Sequence, residues 1–205
     1  MTISLSDAGK RFNREWIFRH FTYTFETGSS YAIVGPNGSG KSTLLQVLSG
    51  SMMLNTGNIQ YSILNNQYPS DNIYRAVSLC APYLELVEEM TVTEFLDFHH
   101  GFKPFLAGHT TASIISAVGL EKAKDKQMRY YSSGMKQRVK LAQCIFSDTY
   151  IVLLDEPCTN LDADGIELYQ RLIREYCLNR LVVVSSNDEV EYSFCKQMIS
   201  ILNYK

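Results

Sequence analysis

Two stretches of this chain carry residue types that could do phosphate chemistry: GPNGSGKST at 35–43 and YIVLLDEP at 150–157. The first matches G-x-x-x-x-G-K-[ST], follows the apolar run YAIVG at 31–35, and opens a helical pattern. Glycines at 35, 38 and 40 let backbone N–H groups turn toward a phosphate chain without Cβ interference. Lys41 adds positive charge for the β- and γ-phosphates, and Ser42 offers a hydroxyl to Mg2+. The start of the helix adds a favourable dipole. Gly35, Pro36, Asn37, Gly38, Ser39, Gly40, Lys41, Ser42 and Thr43 are therefore read as a loop that binds a nucleoside triphosphate.

In the second stretch, a buried strand ends in two acids. Asp155 is placed to hold Mg2+ through water, and Glu156 to polarise the attacking water as a general base. Alone, the pair would read as two solvated acids at a strand end. Beside a phosphate loop the catalytic reading leads. A third apolar run, LVVVS at 181–185, breaks into Ser186-Asn187-Asp188. Asn187 either touches a ligand at the carboxyl end of a parallel strand or only starts a helix. The helix reading has its own support, because Ser186-x-x-Glu189 is a capping-box pattern.

The elements that must position these residues alternate. Strands are expected at 31–35, 76–80, 150–154 and 181–185, each a short apolar run of the kind buried in parallel sheets. A helix is expected over 42–50, with Gly50 as its stop. Another spans 165–177, where Tyr169, Leu172, Ile173 and Tyr176 fall on one face. Phe21, Tyr23 and Phe25 share a strand face and suggest antiparallel structure over residues 1–30. Residues 91–130 read as a small helical subdomain. The expectation is one α/β domain over 1–205: a parallel-sheet core, an N-terminal antiparallel β part and that subdomain.

Composition narrows the function classes. With 45% hydrophobic and 20% charged residues, the chain has the make-up of an ordinary soluble protein. A formal net charge of -2 gives no basic field that would point to nucleic acid. Lys122, Lys124 and Lys126 are interleaved with Asp125 after Glu121, which reads as a solvated helix face. Five scattered cysteines without a C-x-x-C pair fit reduced thiols in a cytosolic compartment and argue against a zinc site. His99, His100 and His109 lack partners at metal-ligand spacing. No stretch approaches the roughly 20 apolar residues that span a bilayer, so a membrane role is expected to come through a partner.

The segment YSSGMKQRVKLAQ at 131–143 lies between the phosphate loop and the acids. By itself it reads as a Ser/Gly turn or a plain N-cap before a basic helix. In this order along the chain it resembles the signature of ATP-binding cassette (ABC) proteins, LSGGQ followed by a Q-R helix. The likeness covers nearly the whole chain and includes CTNLD at 158–162, similar to the D-loop, and the aromatic Phe12. It implies a P-loop NTPase core that uses ATP and Mg2+, with Ser42 and Asp155 at the metal. It also implies two cassettes closing head to tail, here a homodimer, with Ser132, Ser133 and Gly134 at the ATP held by the opposite subunit. Asp162 takes the D-loop aspartate's place. Phe12 would stack on adenine; Trp16 is the alternative, and either could equally be core.

The chain departs from the family pattern at several positions. Tyr131, Ser133 and Met135 replace the signature Leu, first Gly and Gln. The Q-loop glutamine is missing, with Pro82 or Tyr83 in its place, and the switch histidine aligns with Asn187. The resemblance implies the ATP-hydrolysing subunit of an ABC transporter, docked on the cytoplasmic face of separate transmembrane permease subunits. The short 91–130 segment is similar to compact exporter-type cassettes. Two alternatives stand beside it: a non-transport ABC ATPase, and a module that dimerises on ATP with weak hydrolysis.

Overall fold

Apolar alternation over the first residues builds an antiparallel sheet. In the computed structural model, which describes residues 1–64 and 66–205, β1 (Thr2–Phe12) pairs with β2 (Glu15–Glu26). The turn between them holds Asn13 at φ 54°, a conformation that asparagine tolerates better than most residues. β4 (Thr56–Ile63) joins the other edge of β1, and β5 (Asn66–Tyr68) extends the sheet. The expected face of β2 is real: Phe21 and Phe25 are fully buried, and the ring of Phe25 meets Tyr31 edge-on at 5.0 Å. β4 and β5 were not legible from the apolar pattern, because most of their residues are exposed or half-exposed.

A second sheet has the order β6-β7-β8-β3-β9. Its strands are β3 (Ser30–Val34), β6 (Val77–Cys80), β7 (Ile151–Asp155), β8 (Leu181–Ser185) and β9 (Gln197–Ser200). The β7–β8, β8–β3 and β3–β9 pairs are parallel, as expected for strands connected by helices. Every residue of β7 and β8 is buried, which explains their unbroken apolar runs. β9, an edge strand with two exposed residues, gives no such run. α1 (Lys41–Leu48) follows β3 and ends with Ser49 and then Gly50 at φ 77°, the left-handed stop its position required. The one-turn α2 (Ile73–Ala76) precedes β6.

The chain packs as two compact units. One comprises Met1–Leu79, Thr149–Glu156 and Leu178–Lys205, and holds both sheets and α1. Its core joins Phe18, Phe21, Phe25 and Tyr31 to Leu44, Leu48, Leu153 and Val183. Arg180 is buried in it, donating from Nε to the Thr149 carbonyl at 2.7 Å. The other unit comprises Cys80–Asp148 and Pro157–Cys177. It contains α3 (Val92–His100), α4 (Thr111–Ala117), α5 (Ser133–Phe146) and α6 (Ala163–Tyr176). Thr91 and Thr110 close the first turns of α3 and α4 with reciprocal capping boxes.

Two local expectations are corrected. Lys122, Lys124 and Lys126 are exposed, but they lie on a short 3-10 turn (Glu121–Ala123) and the loop after it, not on a helix face. The Ser186-x-x-Glu189 capping box does not form. Ser186 still follows the β8 line, its N–H donating to the Ile33 carbonyl at 3.2 Å, so the helix starts later. Asp188 caps the one-turn α7 (Glu189–Tyr192) by accepting from the Val190 N–H.

Candidate functional site

Three adjacent strands, β7, β8 and β3, end on the same side because they are parallel. β7 ends in Asp155 with Glu156 next, Asn187 follows β8, and the glycine-rich loop follows β3. This is where open α/β sheets place ligands.

The loop after β3 turns tightly, with Ser39 N–H donating to the Pro36 carbonyl at 3.1 Å. Gly40 sits at φ 101° as the N-cap of α1, and a Cβ there would collide with Ile17 Cγ2. Glycine is therefore required at 40 on both conformational and steric grounds. Lys41 is buried and folds back, its Nζ donating to the Gly35 carbonyl at 2.8 Å and the Pro36 carbonyl at 3.4 Å. The first turn of α1 has no acidic residue, which leaves its N–H groups and dipole open to an anion. A cavity of about 210 Å³ is lined by Ile17, Glu156 and loop residues 37–43. Ile17 was missed in the sequence: an isolated apolar residue in a strand gives no signal of a ligand wall.

Asp155 is 2% exposed, and its Oδ1 has no hydrogen-bond partner among the described residues. The hydroxyls of Ser39 and Ser185 are in the same condition. Buried polar atoms without partners are rare in folded proteins and point to a group that satisfies them. The Asp155 carboxylate and the Ser42 hydroxyl are oxygen donors of the kind a hard cation takes, so their chemistry suits Mg2+. Glu156 follows at φ 44°, in the left-handed region. Such a conformation costs a non-glycine residue of order 1–3 kcal/mol and clusters at functional sites. Here it turns the Glu156 side chain to the cavity it lines.

Asn187 does not cap a helix. Its Nδ2 donates to Oδ1 of Asn37 in the phosphate loop at 2.8 Å. The helix-start reading is therefore not met, and the side chain lies beside the loop. Phe12 lies at the end of β1 and is 48% exposed, with Lys10 Nζ 5.4 Å from its ring centre. Trp16 is half-buried and packs so closely on β1 that a Cβ on Gly9 would sit 2.9 Å from its ring. Trp16 has a packing role; Phe12 is the more exposed of the two, with Lys10 over its ring.

The signature stretch belongs to the other unit. Ser132 is the N-cap of α5, its Oγ accepting from the Met135 N–H at 3.2 Å, so the plain N-cap reading holds. Ser132 and Ser133 are exposed. Gly134 has a packing reason too: a Cβ there would lie 2.9 Å from the Asn160 carbonyl oxygen. Tyr131 fills an interior site, donating its hydroxyl to the Ala123 carbonyl at 2.7 Å, and burial pushes its phenol pKa up. Asp162 caps α6 by accepting from Gly165 N–H and pairs with Arg138 at 3.6 Å. Gln137 is buried and donates to the Pro157 carbonyl at 2.7 Å, tying α5 to the segment that leads into the D-loop. Lys140 donates to the Pro82 carbonyl at 3.0 Å, where the Q-loop glutamine is absent. Neither residue stood out in the sequence, since both look like ordinary helix positions.

Among the described residues no cluster of His, Cys, Asp and Glu could hold a structural metal, and none of the five cysteines forms a disulfide. No helix of the described residues is long and apolar enough to cross a membrane.

The parallel sheet with its phosphate loop after β3 and paired acids at the end of β7 defines a P-loop NTPase core. A family model described as ABC transporter matches residues 18–159, and the chain belongs to that family. It is 30% identical over 187 residues to the uncharacterized ABC transporter ATP-binding protein YybJ of Bacillus subtilis, covering 90% of this chain and 85% of that one. It is also 30% identical over 196 residues to the arabinose import ATP-binding protein AraG of Yersinia pestis. There the match covers 91% of this chain but only 37% of AraG. A putative ABC transporter ATP-binding protein from Pyrococcus furiosus has the same fold, with a TM-score of 0.84, 23% identity and full coverage of both chains.

Proposed function

We propose that this chain is the ATP-hydrolysing subunit of an ABC transporter, acting at the cytoplasmic face of separate transmembrane permease subunits. Residues 1–205 would form one ABC ATPase domain. The observation that carries the catalytic part is the buried, unpartnered Oδ1 of Asp155 next to the strained Glu156, on the strand two places from the phosphate loop.

In this reading the loop N–H groups of residues 37–43 and Lys41 hold the β- and γ-phosphates, and Lys41 exchanges its bonds to Gly35 and Pro36 for bonds to phosphate oxygens. Mg2+, held by Ser42 and Asp155, would neutralise charge developing on the phosphates. Glu156 accepts a proton from the attacking water. Asn187 donates an N–H to the γ-phosphate; as an amide it cannot carry charge or shuttle a proton as imidazole does. Phe12 stacks on adenine through its π face.

One chain supplies one phosphate loop and one signature stretch, so we propose that two copies pair. Ser132, Ser133 and the backbone of Gly134 would then meet the ATP of the other copy, with Asp162 of the D-loop nearby in that interface. The exposure of Ser132 and Ser133 supports this. The test is steady-state phosphate release with ATP and Mg2+, alongside ATP titration of Glu156→Gln. Wild-type turnover in that variant would overturn the assignment of the base.

A further inference from the structure

We infer that Asn37 is a positioning residue for Asn187, fixing which edge of that amide faces the phosphate cavity. The inference rests on the reading of Asn187 as a donor to the γ-phosphate, and it adds a residue that the phosphate-loop pattern leaves unspecified.

The argument begins with the backbones. Ile33 of β3 and Ser185 of β8 are register partners, so the loops that follow them start side by side. The loop after β8 is pinned by three bonds: Glu156 N–H to the Ser185 carbonyl at 2.9 Å, Ser186 N–H to the Ile33 carbonyl at 3.2 Å, and Asp188 N–H to the Ser186 hydroxyl at 2.9 Å. The loop after β3 is pinned by the Ser39–Pro36 turn and by Lys41 on Gly35. What the backbone leaves undetermined is the Asn187 side chain, whose amide could present either its N–H or its carbonyl edge.

In the structure Asn187 Nδ2 donates to Asn37 Oδ1 at 2.8 Å, and an acceptor at position 37 holds the Asn187 amide in that orientation. Asn37 lines the phosphate cavity, so the N–H edge of Asn187 is turned toward the loop that holds the phosphates. One N–H is used by Asn37 and a second remains to donate. The opposite orientation would set a carbonyl oxygen against a phosphate oxygen, two acceptors with no proton between them. Asn37 thus acts through Asn187 on the γ-phosphate, over and above any contact of its own backbone with the nucleotide. The same geometry accommodates an imidazole at 187: Asn37 Oδ1 would accept from one ring N–H and fix the tautomer.

Both side chains are exposed, so variants at these positions should fold, with thermal melting as the check. The first test is a double-mutant cycle on steady-state phosphate release at saturating ATP, with ATP affinity measured separately. Asn37→Ala should lower turnover between about 2- and 10-fold, the range of one neutral hydrogen bond, with affinity within a few-fold. Added to Asn187→Ala it should cause no further loss. Losses that multiply would overturn the positioning role while leaving the reading of Asn187 intact. Unchanged turnover in Asn187→Ala itself would overturn that reading, and this inference with it.

The second test does not use turnover. In Asn187→His, the pKa of the introduced imidazole is followed by NMR titration. Adding Asn37→Asp should raise that pKa, because a carboxylate within hydrogen-bond reach favours imidazolium; adding Asn37→Ala should not. Equal pKa values in the two double variants would show that position 37 does not touch position 187, and the inference fails.

Discussion

Glu156 donates its backbone N–H to the carbonyl of Ser185 at 2.9 Å, so the candidate base and the loop that carries Asn187 are fixed to each other. The bond continues the β7–β8 ladder one residue past Asp155, whose register partner is Ser185. It helps to hold Glu156 at φ 44°, which an isolated peptide would not favour. Replacing the carboxylate alone should therefore leave the geometry standing. Glu156→Gln is expected to bind ATP normally and to lose about 10²–10⁴-fold in hydrolysis. The ATP-bound dimer should then persist and elute as a dimer in size-exclusion chromatography with ATP and Mg2+. A variant that stays monomeric sinks either the base assignment or the dimer.

Lys41→Ala is expected to abolish ATP binding. The substitution removes the charge that meets the β- and γ-phosphates, and also two hydrogen bonds that brace the loop carbonyls of Gly35 and Pro36. Titration of ATP into the variant is the measurement, and near-normal affinity would refute the assignment of the loop.

The residues that bear charge or must be glycine were the legible part of this site. GPNGSGKST and the acids at 155 and 156 announce themselves because phosphate and metal chemistry tolerates few substitutes. The buried strands β7 and β8 were legible for a related reason, since burial on both faces demands an unbroken apolar run. The edge strands β5 and β9 were not, because a half-exposed edge imposes no such demand. Position 187 was read with two alternatives because a strand end and a helix start call for the same small polar residues. In the structure Asp188 takes the cap, and the Asn187 side chain bonds to Asn37.

Gly134→Ala separates the packing role of the signature glycine from its proposed role at the nucleotide. The added Cβ would lie 2.9 Å from the Asn160 carbonyl oxygen, and backbone must give way to admit it. Overpacking of this kind typically costs 1–3 kcal/mol. The melting temperature should fall by about 2–4 °C for each kcal/mol in a chain of this size. A variant with unchanged melting would mean that the α5 start and the D-loop segment are looser than the contact implies.

His99 should make the protein acid-sensitive. Its imidazole lies between Ser147 Oγ at 2.8 Å and Gln143 Nε2 at 3.2 Å. Burial first, then the charges of Lys103 and His100, lower its pKa from 6.5 to about 4. The native state thus favours neutral His99, while the unfolded chain takes up a proton as the pH falls below 6.5. This stabilisation is complete above pH 6.5 and is lost between there and pH 4, below which both states are protonated. Urea midpoints measured across that window should fall in the wild type and fall less in His99→Gln. Parallel slopes for the two proteins would remove His99 from the explanation.

Phe12 and Trp16 can be told apart by pairing affinity with melting. Phe12 is 48% exposed, so its removal should leave the fold almost unchanged. Its loss should weaken ATP binding if the ring stacks on adenine. Base–aromatic stacking is typically worth about 1–3 kcal/mol by alanine substitution, which is roughly 5- to 150-fold in Kd. Lys10 stands over the same ring at 5.4 Å and would compete for its face or pair with the nucleotide, which places the expected loss toward the lower end. Trp16 should behave in the opposite way. Its ring packs on Gly9 of β1, and Arg11 lies 5.5 Å from its centre, so Trp16→Ala opens a gap in the β1–β2 pair. Melting should fall while ATP affinity holds. A Trp16→Ala protein that melts normally but binds ATP weakly would move the stacking role to Trp16.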